Sequence, residues 1–478
     1  MVTSQLIKGR VMRRSIFAAM ALTTMVFSPA QAEELRLSKH DKEIADKLIE
    51  TGLSDDLAYQ LLESLTTEVG PRLAGSAQDQ KAVSWAVNQL KTLGFDKVWT
   101  EDFTFDGWAR GKEYGNIISP YSQSVHLTAL GNSAPTPDDG LSGEIIAFHD
   151  VTDLMRAEPQ SVAGKIVYLS KRATRTQNGS GYGPTVINRA NGASEAAKLG
   201  AKAVIIRSVG TDSHRLPHTG GLRYQEGIKK IPAAALSNPD ADLLENMLAR
   251  GKPVKFNLVI TPRFTGKMTT QNVIAEVRGT KRPDEIVVIG GHLDSWDLGT
   301  GAIDDGAGVA ISTAAAKYIL DLPKNQRPER TIRVILWGAE EIGIVGAQAY
   351  AKAHADELDK HVLAWESDFG AGAIWKINSN IGSASVDAFK ELAHPLSPLG
   401  IDYGDNQGKP EPDVIPLKAA GVPFAQFAQD GTDYFDLHHT ADDTFDKVNP
   451  ADLAQNVAAY TAFAYLVANS DIDFRAAD

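Results

Sequence analysis

The sequence predicts an α/β protein: a doubly wound mixed sheet flanked by helices, with a separate β-rich module inserted into it. Three observations carry this. First, residues 273–277, 286–289 and 332–337 are short, nearly continuous apolar runs, as strands buried on both faces should be. Second, helical spacing over 309–320, 347–354 and 450–467 separates or follows those runs, the alternation a doubly wound sheet needs. Third, the texture changes between 120 and 262, where short strands at 145–148, 166–169 and 203–206 alternate with Gly-rich loops. At 478 residues the chain is too long for one ordinary core, so two packed domains are expected. The predicted boundaries are 33–119 and 263–478 for the two parts of the sheet domain, and 120–262 for the insertion.

Residues 1–32 read as a secretory signal peptide. Lys8, Arg10, Arg13 and Arg14 precede an apolar run at 16–27, and Ala30 and Ala32 supply the small residues before a cleavage site. The run is short of the roughly 20 residues that span a bilayer, which disfavours an anchor. Export to the periplasm or medium is the expectation, ordinary export ranking above the twin-arginine route. Two helical patterns follow, the second opening at Ser54 with Asp55 and Asp56 in its first turn. After the loop at 70–76, Ser76 and Asp79 form a capping-box start, and Gly94 stops that helix. Strand character runs to about Phe105. In the insertion, a small helix at 193–199 feeds the 203–206 strand, and a helix ending near Arg250 closes the segment.

The chain carries 48 Lys+Arg against 60 Asp+Glu, and residues 1–32 hold four of those bases and no acid. The remainder is therefore still more acidic, which argues against nucleic acid or anionic lipid as a partner. No membrane association is expected after signal cleavage. The cluster Lys171, Arg172, Arg175 reads as a solvated loop. With no cysteine, a thiolate nucleophile, a Cys-bound zinc and an iron–sulfur cluster are all excluded. Any metal must be held by His and carboxylates.

The chemistry lies where His and acids fall relative to the strands, because ligands in open α/β sheets collect beyond the strands' carboxyl ends. The 286–289 run leads into His292 and Asp294, and the 332–337 run into Glu340 and Glu341. Between them stands Asp304-Asp305 in a glycine-rich turn. Glu366 and Asp368 follow the apolar run at Val362, and His438-His439 come late in the chain. Each has an ordinary reading: a helix-capping Asp pair, a solvated Glu-Glu turn, a surface His, an exposed His pair. Their coincidence at strand ends points instead to one crevice. Two zinc ions about 3.5–4 Å apart need one bridging carboxylate, and each then takes an imidazole and a further carboxylate. The adjacent Glu340 and Glu341 suit divided roles, since neighbouring side chains of an extended segment point opposite ways.

At these residues the sequence resembles the zinc peptidase family of bacterial two-zinc aminopeptidases and glutamate carboxypeptidases. The resemblance rests on Gly-Gly-His-Leu-Asp-Ser at 290–295, Gly-Ala-Ile-Asp-Asp-Gly-Ala-Gly at 301–308, Trp-Gly-Ala-Glu-Glu at 337–341, Glu-Ser-Asp at 366–368 and His-His-Thr-Ala-Asp-Asp-Thr at 438–444. It extends to the Gly-Pro-Arg-Leu-Ala-Gly-Ser loop at 70–76, and the insertion resembles a protease-associated domain. The resemblance implies a zinc-exopeptidase fold and two Zn2+ per chain. His292 and Asp368 would hold one ion, Glu341 and His439 the other, and Asp304 would bridge them. Glu340 would be the general base for attack by a metal-bridging hydroxide, and Asp294 the carboxylate that orients the His292 imidazole. The implied substrate is a dipeptide or short peptide with a free end, and relatives frequently form homodimers. A glutaminyl cyclase-type single-zinc enzyme and a non-catalytic receptor-like homologue are the competing implications; the full ligand set weighs against both. Where many relatives carry Ser-Asp-His, this chain reads Pro-Asp-Val at 412–414, leaving Asp413 as a candidate for the substrate pocket.

Overall fold

The computed structural model describes residues 37–477. The signal peptide expected over 1–32 lies outside the described residues. Two eight-stranded mixed sheets organise the rest. The first runs, edge to edge, Lys97–Ala109, Arg263–Val277, Arg330–Trp337, Arg282–His292, His361–Glu366, Phe424–Gln429, Ile374–Asn380 and Asp402–Tyr403. Its four central strands are parallel, so their carboxyl ends share one edge. From Arg282–His292 the chain crosses to Arg330–Trp337 on one side, and from there to His361–Glu366 on the other. That reversal opens a crevice at the shared edge, the place where such sheets bind ligands.

Burial explains why these segments are strands. All eight residues of Arg330–Trp337 are buried, as are all six of His361–Glu366. Helices cover both faces. Ala307–Leu320 and Pro450–Asn469 pack together with Lys39–Ser54 on one side. Val345–Ala353 and Ile415–Ala419 cover the other, where Trp337 meets Tyr350 edge-on beside Ile286, Val288, Leu417 and Phe424. Two arginines inside this sheet are neutralised locally. Arg333 donates to Glu276 at 2.7 Å and Arg330 to Glu285 at 2.5 Å.

The second sheet has the order Gln123–Val125, Glu113–Ser119, Lys255–Ile260, Leu141–Phe148, Ile166–Leu169, Ala203–Arg207, Ala233–Leu236 and Leu127–Ala129. Its strand Glu113–Ser119 precedes the range 120–262 read from texture. The expected helix at 193–199 is much longer, Gly183–Lys198, with Pro184 in its first turn. Gly192 lets this helix lie against the sheet, since a Cβ there would stand 2.8 Å from Leu169 Cδ1. Ser54 ends the first helix rather than opening the second, which begins at Leu57 with its N–H on Asp55. The Ser76 cap holds as predicted, accepting from Asp79 N at 3.1 Å, while Asp79 reaches back to Gly75 N at 2.8 Å. Among the described residues no helix is long and apolar enough to cross a membrane.

Candidate metal centre and active site

Three adjacent parallel strands deliver the predicted groups to one edge. Arg282–His292 ends at His292, Arg330–Trp337 runs through Gly338 and Ala339 to Glu340 and Glu341, and His361–Glu366 leads to Asp368. The turn before Ala307–Leu320 supplies Asp304 and Asp305, whose connecting peptide bond is cis. His439, in left-handed backbone at φ 63°, reaches in from the loop after Tyr434–Leu437. The surface readings of the histidines do not survive, since His292, His438 and His439 are buried with Asp304 and Asp305; the capping reading holds for Asp305 alone, which accepts from Gly308 N in the helix's first turn.

Asp304 sits between the two imidazoles. Its Oδ1 lies 2.9 Å from His292 Nε2 and its Oδ2 lies 3.2 Å from His439 Nε2. Asp368 Oδ1 stands 3.3 Å from His292 Nε2, and Glu341 Oε2 stands 3.0 Å from His439 Nε2. The five predicted ligands thus fall into two sets sharing one carboxylate. Both imidazoles are turned for this. His292 Nδ1 faces the Asp294 carbonyl at 3.0 Å, and His439 Nδ1 faces the Thr219 carbonyl at 3.3 Å. Donating an Nδ1 proton to a carbonyl leaves the Nε2 lone pair pointing at carboxylate oxygens. Acceptors facing acceptors at 3 Å require a proton or a cation between them.

The electrostatics agree with that need. Burial opposes ionisation of Asp304, yet hydrogen bonds with His292 and His439 hold it well below the usual carboxylate range. Burial lowers the His292 imidazole, but Asp368 and Asp304 overcome this and hold it well above its ordinary value. Burial raises Glu340 and Glu341 well above theirs, the charge of Asp368 adding to the first and that of Asp304 to the second. So many acids around three buried imidazoles, His292, His438 and His439, are a donor set for hard or borderline divalent cations.

Asp305 ties the turn to the strand that carries His292. Its Oδ2 accepts from His292 N at 2.9 Å and its Oδ1 from Gly308 N at 3.0 Å, which shapes the turn. Asp294 behaves differently from the expectation. It meets the imidazole through its backbone carbonyl; its carboxylate is 3.8 Å from His292 Nδ1 and instead accepts from Glu340 N at 3.0 Å. Spacing along the chain identifies a neighbour of His292 but does not say which of its oxygens turns inward. Asp413 is also displaced from its expected role. It is fully buried behind the cavity wall, its N–H on Glu366 at 2.9 Å, while Glu411 and Pro412 line the cavity.

Several residues that the sequence reading passed over complete the site. Arg72 is fully buried and donates to the carbonyls of Leu293, Thr300 (2.7 Å) and Gly301 (2.9 Å), clasping the two loops that carry His292 and Asp304. Asp443 Oδ1 accepts from Ile303 N at 2.6 Å. The second sheet's segment contributes Thr219, Tyr182 and Arg189. Thr219 N donates to the His439 carbonyl at 3.0 Å. The basic loop at 171–175 is ion-paired rather than simply solvated, and Arg175 joins Asp433 and Asp436 beside the site. A cavity of about 510 Å³ opens over the carboxylates, walled by both sheets' loops and by aromatic Phe369, Tyr434 and Phe435.

Known proteins resemble this chain throughout. Residues 272–464 match the profile of peptidase family M28. Human carboxypeptidase Q is 34% identical over 420 residues, covering 88% of this chain and 87% of its own. The crystal structure of a peptidase M28 precursor from Shewanella amazonensis superposes with a TM-score of 0.90 at 51% identity, covering 91% of this chain and 98% of that one. A zinc aminopeptidase from Bacillus subtilis shares the fold, with a TM-score of 0.63 at 23% identity over 88% of this chain and 97% of its own.

Proposed function

The chain belongs to peptidase family M28, and on that footing we propose that it is an exported two-zinc exopeptidase acting on dipeptides or short peptides with a free end. The observation that carries this is Asp304, with one carboxylate oxygen on each of two imidazoles and a further acid beside each. His292 and Asp368 would hold one ion, Glu341 and His439 the other, and Asp304 both. Zinc bound there would supply Lewis acidity, bringing the pKa of a water toward about 7 and polarising the scissile carbonyl.

The chain's own groups do the rest. Glu340 lines the cavity and belongs to neither ligand set. It takes the proton from the attacking water and delivers it to the leaving amine as the C–N bond breaks. The Asp294 carboxylate, held on the N–H groups of Glu340 and Glu341, fixes where these two side chains start. Arg72 and Asp305 hold the ligand loops in place through hydrogen bonds to their backbone. The cavity is in the range of about 300–1,000 Å³ that encloses small ligands, which suits short peptides over folded proteins. The relatives' names, a carboxypeptidase and a zinc aminopeptidase, support exopeptidase chemistry without choosing the end. We assign the second sheet's segment to a protease-associated domain, and residues 1–32 to a cleaved export signal.

The test is hydrolysis of a panel of free and end-blocked dipeptides before and after chelation. Turnover is expected to vanish with the chelator and return with zinc. Turnover indifferent to chelation, or none at all from protein carrying two zinc ions, would remove this reading.

A further inference from the structure

His439 lies in a turn outside any helix or strand, in left-handed backbone at φ 63°. A residue other than glycine keeps that conformation only where its surroundings hold it. The surroundings come from the second sheet: the loop between the strands Ala203–Arg207 and Ala233–Leu236 lies along residues 435–439. Thr211 N donates to the Phe435 carbonyl at 3.0 Å, and His214 Nε2 meets that of Asp436 at 2.8 Å. His218 Nδ1 meets the His438 carbonyl at 2.7 Å, and Thr219 N donates to that of His439 at 3.0 Å.

His218 is the buried member of this set with both ring nitrogens on acceptors. Its Nε2 lies 2.6 Å from Asp212 Oδ2 while its Nδ1 faces the His438 carbonyl. An imidazole satisfies two acceptors at once only as a double donor, and Asp212 supplies the opposite charge. Burial opposes ionisation of Asp212, but hydrogen bonds with His218 and Asn238 hold its carboxyl below the usual range. Gly210 makes room for the pair, since a Cβ there would stand 2.1 Å from His218 Nε2 and 2.7 Å from Asp212 Oδ2. Behind the ring, His218 N donates to Ser208 Oγ at 2.9 Å.

Neither His218 nor Asp212 lines the cavity, so the pair is placed to act on the protein rather than on a substrate. A buried ion pair adds little stability over apolar residues of the same volume. What it does provide is a donor fixed in position, here on the peptide that joins His438 to His439. We propose that His218, held by Asp212, is a positioning residue for one of the two ions: it clamps the peptide that carries His439 and so fixes that imidazole. This rests on the two-metal reading above. It adds that the second sheet's segment governs the Glu341–His439 position and leaves the His292–Asp368 position alone.

The experiment titrates the full chain, stripped of metal, with zinc in competition with a chromophoric chelator. Two single-site backgrounds are used: His292→Ala, which keeps the Glu341–His439 position, and His439→Ala, which keeps the other. Adding His218→Leu to the first should weaken zinc binding by roughly 10–100-fold, the effect of losing an outer partner of a metal ligand. Adding it to the second should change binding by no more than about twofold, because His218 bonds to none of the other four proposed ligands. His218→Gln still offers an N–H to the His438 carbonyl but turns its own oxygen on Asp212, and should fall between wild type and His218→Leu. If His218→Leu does not fold, His218→Gln decides, again by a loss confined to the His292→Ala background. In the otherwise unsubstituted chain the same change should weaken one zinc constant and leave the other, which decides where a background binds too weakly to measure. Equal loss at both positions would make His218 a general structural residue, and no loss at either would leave the contact idle; each result overturns the proposal. Wild-type chain that takes up fewer than two zinc ions would instead overturn the two-metal reading, and the clamp with it.

Discussion

Glu340 and Glu341 are neighbours in sequence whose environments separate them. Glu341 points at His439, within 3.0 Å of its Nε2, whereas Glu340 faces the cavity with its N–H on Asp294. A Gln at 340 keeps the shape and that backbone hydrogen bond but cannot carry the transferred proton. Glu340→Gln is therefore expected to retain two zinc ions and lose about 10²- to 10⁴-fold in kcat. Metal analysis alongside steady-state kinetics checks it, and near-normal kcat would take Glu340 out of its role. The residue types were legible because a dinuclear site needs His and acids at strand ends, and those stand out among Gly-rich turns. The choice of Asp294's carbonyl over its carboxylate, and the recruitment of Arg72, were not legible. The first depends on which way the Asp294 side chain turns toward Glu340, and the second on contacts across more than 200 residues of intervening chain.

At the scale of elements, the legible parts were those whose burial is uniform. The strands Arg282–His292 and Arg330–Trp337 announce themselves as apolar runs, and the helix Ala307–Leu320 is buried all round apart from a half-exposed Lys317. The helix Gly183–Lys198 was half hidden because Asn188, Arg189, Asn191 and Gly192 interrupt any apolar stripe. Its buried positions include the polar groups that meet the site, so function overrides the period by which helices are read. His361 shows an element held by polar groups inside the core. Arg333 donates to Tyr350 Oη at 2.6 Å, Tyr350 lies 2.8 Å from His361 Nε2, and His361 Nδ1 faces the Glu357 carbonyl at 3.0 Å. Burial, reinforced by the nearby charges of Arg333 and His354, brings the imidazole down to about 4. A histidine depressed in the fold is neutral there while the unfolded chain takes up protons. Its contribution is thus intact above about pH 6.5 and is lost as pH falls toward 4, roughly 2 kcal/mol of it by pH 5. Urea unfolding of metal-free protein at pH 7 and pH 5 should show the wild type losing about that much more than His361→Gln. Equal losses would mean that His361 does not titrate between the two states.

For the whole molecule, the two sheets meet over the site, and neither makes it alone. The first contributes the proposed ligands; the second contributes the carbonyl of Thr219 that faces His439 Nδ1, and the arginines on the cavity wall. Metal-free, the assembled site concentrates buried carboxylates whose protonation is forced upward by burial and by one another, as Glu341 and Asp368 illustrate. Folding without cations therefore works against this cluster, and divalent ions that bind only the folded arrangement stabilise the entire chain through it. At free zinc about 1,000-fold above its dissociation constant, linkage amounts to about 4 kcal/mol per site. Thermal unfolding followed at rising zinc concentration should move the midpoint upward, and His292→Asn should blunt the shift. Lowering pH should weaken it as protons compete for the same oxygens and nitrogens. A midpoint that ignores zinc in the wild type would mean that these side chains do not form the metal site from which the hydrolytic chemistry was argued.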